Sequence, residues 1–229
     1  MKLLLLNTCG AEGSVALADT EFAEPIAALK RMSGRTASER LVAMLRETMS
    51  ETGWQLRELA AIAVVTGPGS FTGVRVGLSV AKGLSEASGV PLIAVSRLAM
   101  LAEAGVASGS VCALIDAGRG EFYCGHSIGS TEWNEALLSK DDGVVVASKA
   151  KAVVICEESV EKAFAGLVDL RVVSELTAAD ALPIALKRLS GASLDDPMTL
   201  DANYLRRTDA EIFAPKSGAK SPVQEQVGP

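Results

Sequence analysis

The chain has 229 residues, of which 48% are hydrophobic and 22% charged, with a mean hydropathy of +0.28. That is apolar material for one large domain or two small ones, and it rules out a disordered chain or a coiled coil. Acids outnumber bases 28 to 22, a formal net charge of −6, and aromatics are 4%; a free-standing nucleic-acid binder would want clustered Lys and Arg and more stacking platforms.

The N-terminus reads as a strand over residues 2–6. Its four leucines are too few for a signal-peptide apolar region of about 7–15 residues, and no run nears the roughly 18 residues of a membrane span. No membrane partner is expected, and the location implied is cytoplasmic. Cys9, Cys112, Cys124 and Cys156 form no C-x-x-C pair and read as reduced, buried thiols. The one histidine, His126, excludes a metal site built on paired histidines.

Further strands are predicted over 14–19 and 25–29, with Gly10 and Gly13 punctuating the first turn. A helix follows over 37–52. Thr36 and Glu39 have capping-box spacing, Leu41, Met44, Leu45, Thr48, Met49 and Thr52 recur at helical period, and Gly53 ends the run. Residues 61–66 are apolar on both faces, which suits a strand covered on both sides. A Gly-rich loop, Gly67-Pro68-Gly69-Ser70-Phe71-Thr72-Gly73, then leads into a helix over 72–88 and a strand over 91–95.

The second half opens on a hairpin, 111–116 and 121–128, around Ala117-Gly118-Arg119-Gly120. Strands are predicted at 144–147, 152–156 and 170–173, and helices at 159–165 and 177–189. A β-β-β-α-β-α order used twice implies an α/β fold of two similar lobes. The boundaries are 1–105 and 106–207, with a Pro-, Gly-, Lys- and Ser-rich tail over 208–229 that reads as largely disordered.

The Gly-rich loop sits between a buried strand and a helix start, where free N–H groups and the helix dipole attract anions. It is not G-x-G-x-x-G, because Thr72 holds the last place, and no Gly-Lys-Ser/Thr follows to make a P-loop. Two readings stay open: a tight turn before a close-packed helix, or an anion or nucleotide site made of Gly67, Gly69, Ser70, Thr72, Gly73 and Arg75. The helix after it carries one polar stripe, Arg75, Ser79, Lys82 and Glu86, and is small or apolar elsewhere. Gly73, Gly77 and Ala81 form a track that permits close backbone approach. Glycine inside a helix costs about 1 kcal/mol against alanine, so the track has a packing reason. Either the helix is internal to its own domain, or one face meets the sheet and another meets a partner chain.

A nucleotide-hydrolysing two-lobed fold would want a carboxylate at the end of the first strand. Asn7 stands there, which weakens a kinase or ATPase reading. Asp116 ends the matching strand of the second half and reads as a turn residue; Arg119, Glu121 and Tyr123 read as a solvated face. No Ser/His/Asp or Cys/His pairing follows from the spacing, so no catalytic residue is assigned.

Residues 59–84, LAAIAVVTGPGSFTGVRVGLSVAKGL, then 90–96, VPLIAVS, resemble the TsaB (YeaZ) family. So do 114–123, LIDAGRGEFY, and 203–206, NYLR, and the resemblance spans roughly residues 1–207. It implies a two-lobed actin/hsp70/sugar-kinase (ASKHA) fold. It also implies a non-catalytic role in forming N6-threonylcarbamoyladenosine next to the anticodon of tRNA. The catalytic partner would be TsaD and the ATPase TsaE would join; a homodimer is possible when the chain is alone. There would be no cofactor of its own, with ATP and Mg²⁺ entering only through the partner complex and tRNA contacted indirectly. The partner-facing helices would be the first two, with Ser38, Leu41, Leu45, Val74, Gly77, Leu78 and Ala81 as contact residues. Two departures stand out: Asn7-Thr8-Cys9 where the family has an Asp-Thr-Ser type turn, and Ala37-Ser38-Glu39 where it has His-Ser-Glu. Both remove polar chemistry. The enzyme alternative is a small ATP-binding phosphotransferase or ATPase of the same superfamily; a peptidase or an unrelated self-associating protein are weaker ones.

Overall fold

In a computed structural model, residues 1–105, 109–128, 132–167 and 169–206 are described. The predicted tail, 208–229, lies outside them. The first half forms β1 (Lys2–Asn7), β2 (Glu12–Asp19), β3 (Ile26–Ser33), α1 (Ala37–Thr52), β4 (Leu59–Val65), α2 (Phe71–Ser88), β5 (Leu92–Val95) and α3 (Arg97–Gly105). The second half forms β6 (Val111–Gly118), β7 (Glu121–His126), β8 (Asn134–Ser139), α4 (Lys140–Ala147), β9 (Ala152–Ile155), α5 (Glu158–Ala163), β10 (Leu170–Val172) and α6 (Leu182–Ser190).

Each half makes a five-stranded sheet. The orders are β3-β2-β1-β4-β5 and, from the matching edge, β8-β7-β6-β9-β10. In both, three antiparallel strands lead and two parallel strands follow. The duplicated β-β-β-α-β-α plan is therefore present in register, and the fold is two-lobed α/β.

The halves do not close on themselves. Helix α3 packs on β6, β7 and β9 of the second sheet, while residues 178–190 pack on β1, β2, β4 and β5 of the first. Leu98, Met100 and Leu101 of α3 are fully buried in an apolar cluster that runs through both sheets. The two lobes are thus sealed by shared core rather than joined by a hinge segment, and a division at residue 105 cuts chain order, not packing.

Three local expectations need correcting. Residues 144–147 are not a strand: they complete α4, and β8 takes the third-strand place. A β-rich Val144-Val145-Val146 run lost to a capped helix start, where Ser139 Oγ accepts from Asp142 N at 3.2 Å and Asp141 and Asp142 sit in the first turn. Thr36 makes no capping box; its hydroxyl donates to Ser33 O at 2.9 Å and closes a 3-10 turn before α1. Helix α3 was not predicted, being apolar and short. The predicted stop of α1 does hold, with Gly53 at φ 68° in the left-handed region.

Candidate functional site

Between the sheets lies a cleft of about 1090 Å³. The turn after β1 and the starts of α1, α2 and α3 wall one side; the β6–β7 turn and the start of α5 wall the other. The parallel strands and their crossover helices put these element ends together at the carboxyl edge of each sheet, the usual place for ligands in α/β folds.

The Gly-rich loop is tied to the chain's own first turn. Ser70 N donates to Cys9 O at 2.9 Å, Ser70 Oγ accepts from Gly73 N at 3.2 Å, and Thr8 Oγ1 donates to Gly73 O at 2.6 Å. A Cβ on Gly69 would strike the Cys9 carbonyl, and one on Gly73 the Thr8 carbonyl. Gly67 has φ +106°, a conformation side chains avoid. The close-packed-turn reading therefore accounts for all three glycines. Ser70 and Thr72 still line the cleft. Arg75 does not join them: it stacks over the Phe71 ring at 3.7 Å, and its Nε donates to the Tyr204 hydroxyl at 2.8 Å.

The cleft is acidic. Asp116, Glu157, Glu158 and Glu175 line it against Arg35 and Arg97. Arg97, 3% exposed, pairs with Glu157 at 3.2 Å, whose other oxygen accepts from Asp116 N at 2.8 Å. This ion pair joins α3 to the start of α5. A polyphosphate entering here would meet more carboxylate than guanidinium. Among the described residues, no group of three or more His, Cys, Asp and Glu is placed to hold a metal ion.

Asn7 is buried at the end of β1. Its Nδ2 donates to Leu176 O at 3.2 Å and its Oδ1 accepts from Cys9 N at 3.1 Å. Both the nitrogen and the oxygen of the amide are engaged in packing. Cys9 is pushed up to about 11 by burial, against the pull of Arg97, and Cys156 likewise to about 11. Cys112 is raised by its hydrogen bond to Cys124 and by burial. At pH 8 a thiol near 11 is ionised in about one molecule per thousand. Iodoacetamide should thus label Cys9 and Cys156 in the folded chain far more slowly than in guanidinium, and labelling should accelerate as pH rises toward 11. Equal rates at pH 8 would contradict this burial.

Six of the seven candidate contact residues prove to be core. Leu41, Leu45, Val74, Gly77, Leu78 and Ala81 are buried by the chain's own sheet, and only Ser38 is exposed. The glycine track meets Thr8, not another chain: a Cβ on Gly77 would strike Thr8 Oγ1. The outward sides of the helices carry other residues. On α2 these are Phe71, Thr72, Arg75, Val76, Ser79 and Val80, lining a groove of about 450 Å³; on α1, Val42 is 54% exposed.

Sequence reasoning missed Glu135. Its carboxylate accepts from Ser96 Oγ, from Trp133 Nε1 at 2.6 Å and from Asn203 Nδ2, so it pins the Asn203–Arg206 segment across the junction of the sheets. No spacing signal links residues that far apart.

The family described as TsaD: tRNA N6-adenosine threonylcarbamoyltransferase matches residues 29–164. The TsaB protein of Bacillus subtilis, named for tRNA threonylcarbamoyladenosine biosynthesis, is 31% identical over 163 residues, which is 63% of this chain and 69% of that protein. The chain belongs to the TsaB (YeaZ) family. The Haemophilus influenzae TsaB is 35% identical over 126 residues, 54% of this chain and 52% of its own length, so the match spans about half of that relative. A Pseudomonas aeruginosa crystal structure described as similar to peptidase YeaZ superposes with a TM-score of 0.73 at 28% identity, covering 90% of this chain and 99% of that one. The fold of this TsaB-family chain thus extends over nearly its whole length, well beyond the aligned sequence. Among its described residues no helix is long and apolar enough to cross a membrane.

Proposed function

We propose that this chain is a docking subunit in the formation of N6-threonylcarbamoyladenosine next to the anticodon of tRNA, binding TsaD while the partner performs the transfer. The observation that carries the reading is the outward face of α2: a groove lined by Phe71, Val76 and Val80 that the chain's own core leaves uncovered. Exposed apolar helix faces of this kind mark protein contacts. The TsaD family match includes both α1 and α2, so a TsaD partner would carry a similar helix pair, and like faces pair readily about a quasi-two-fold axis. The same face would serve a homodimer when TsaD is absent. The non-catalytic half of the reading is supported by Asn7, whose amide is spent on packing, and by the excess of carboxylates in the cleft. ATP, Mg²⁺ and TsaE belong in this scheme to the assembled complex, and a chain of net charge −6 leaves tRNA to its partners.

Co-elution with TsaD on size-exclusion chromatography tests it. Val42→Arg and Ser79→Arg place a charge on the exposed faces and should separate the two proteins while leaving the melting temperature within about 2 °C, since surface changes move stability by less than about 0.5 kcal/mol. A complex that survives both substitutions would place the interface elsewhere.

A further inference from the structure

One end of the groove on α2 is shaped from outside the helix. Phe71 and Arg75 line it, and Tyr204 holds both. The Phe71 and Tyr204 rings lie 5.7 Å apart, and the Arg75 guanidinium sits against them at 3.7 and 5.6 Å. Arg75 Nε also donates to the Tyr204 hydroxyl at 2.8 Å. Phe71 and Tyr204 are 47% and 42% exposed, so the two rings and the cation form a fixed surface rather than core. Released from Tyr204, Arg75 would regain its rotamers beside Val76 and Ser79, and ordering a long side chain again when a partner docks costs affinity.

Tyr204 belongs to a segment without helix or strand of its own, so anchors set its place. Next to it, Asn203 N donates to Thr66 O at 2.8 Å and Asn203 Nδ2 donates to Glu135. Two residues on, Arg206 donates to Gly118 O at 3.1 Å and to Glu121 at 2.6 Å. Glu135 is on β8 of the second sheet, and its carboxylate is fixed in turn by Ser96 Oγ, at the turn from β5 to α3, and by Trp133 Nε1 at 2.6 Å. Hydrogen bonds to a carboxylate are about twice as strong as neutral ones. We propose that Glu135 is a positioning residue for TsaD docking: through Asn203 it orients Tyr204, and Tyr204 sets the Phe71–Arg75 end of the groove. Glu135 does not line the groove itself. The inference rests on the TsaD docking reading and adds that the docking face of the first lobe takes its shape from the second. The Thr66 and Arg206 anchors do not involve Glu135, so the segment stays attached when that carboxylate is removed.

Calorimetric titration of the full chain with TsaD tests it, together with aromatic NMR of the free chain. With two tyrosines and five phenylalanines in the sequence, the Phe71–Tyr204 cross-peak can be assigned. Tyr204→Ala should weaken TsaD binding by about ten-fold, the scale of one aromatic interface anchor. Glu135→Ala should approach the same loss. The double variant should bind no worse than Tyr204→Ala alone, because one route carries both effects. Glu135→Gln keeps an acceptor for Trp133 and bonds Asn203 once that amide turns over, so it should recover most of the affinity. In the absence of TsaD, Glu135→Ala should lose the Phe71–Tyr204 cross-peak. A natural chain that forms no complex with TsaD would overturn the docking reading and this inference with it. With docking intact, natural affinity in Glu135→Ala, losses that add in the double variant, or a cross-peak that survives Glu135→Ala would overturn this inference alone.

Discussion

Gly77→Leu should strongly destabilise this chain. Helix α2 crosses the end of β1 so closely that a Cβ at Gly77 would overlap the Thr8 hydroxyl, and one at Gly73 the Thr8 carbonyl. The hydroxyl is itself committed, donating to Gly73 O at 2.6 Å. Thr8 is buried between β1 and the helix and has no room to retreat. Leucine would add three more carbons beyond the clash. Overpacking typically costs about 1–3 kcal/mol, and losing a buried hydrogen bond adds about 1–3 more. The sum approaches the 5–15 kcal/mol that holds a whole domain. Thermal unfolding should show a fall of more than about 10 °C, or no soluble protein, at about 2–4 °C per kcal/mol for a chain of this size. The control lies six residues on. A Cβ at Gly83 meets nothing within 4 Å, so Gly83→Ala should stabilise by about 0.5–1 kcal/mol. Two glycines of one helix should thus respond with opposite sign. A folded Gly77→Leu variant with an unchanged melting temperature would show that α2 does not sit on Thr8.

Asn7→Asp should be destabilising and more so as pH rises. Asn7 is 1% exposed. A carboxylate there keeps the acceptor for Cys9 N but loses the donor to Leu176 O, and sets a negative charge against that carbonyl. Leaving a buried polar group unsatisfied costs about 1–3 kcal/mol, and more when the group is charged. Burial favours the neutral acid, so the folded-state pKa of the new carboxyl rises above its unfolded value near 3.9. The protonated acid can donate to Leu176 O as the amide does. Its contribution is therefore present below about pH 4 and is lost as pH climbs through the raised folded value. The gap in melting temperature between the natural chain and Asn7→Asp should be small near pH 4 and widen toward pH 8. A gap that is constant or narrows with pH would contradict the Asn7–Leu176 contact. The position joins β1 to the segment that crosses back over the first sheet, and the amide serves that junction.

The duplicated lobes were legible because each repeat signals itself locally: apolar runs, glycine punctuation and the Gly67–Gly73 loop are all short-range features. The exchange of α3 and α6 between the sheets was not, since which sheet a short apolar helix covers depends on tertiary packing alone. The Val144–Val146 run shows the same limit, as a three-valine stretch has no period to separate strand from helix. At the site, the glycine track announced close approach, but not to what. Its partner is Thr8, distant in sequence and adjacent in space, so the buried residues of α1 and α2 are core and the docking face proposed here is the outward one. Arg97, Glu135 and Glu157 gave no signal either, because their roles arise from pairing across the two sheets.

A reconstituted transfer assay tests the central claim most directly. Threonylcarbamoylation of tRNA would be followed by mass spectrometry with TsaD alone, this chain alone, both together, and TsaD with the Ser79→Arg chain. The account predicts product only where TsaD is present, a rise on adding the natural chain, and loss of that rise with Ser79→Arg. Product formed by this chain without TsaD, or an undiminished rise with Ser79→Arg, would contradict it.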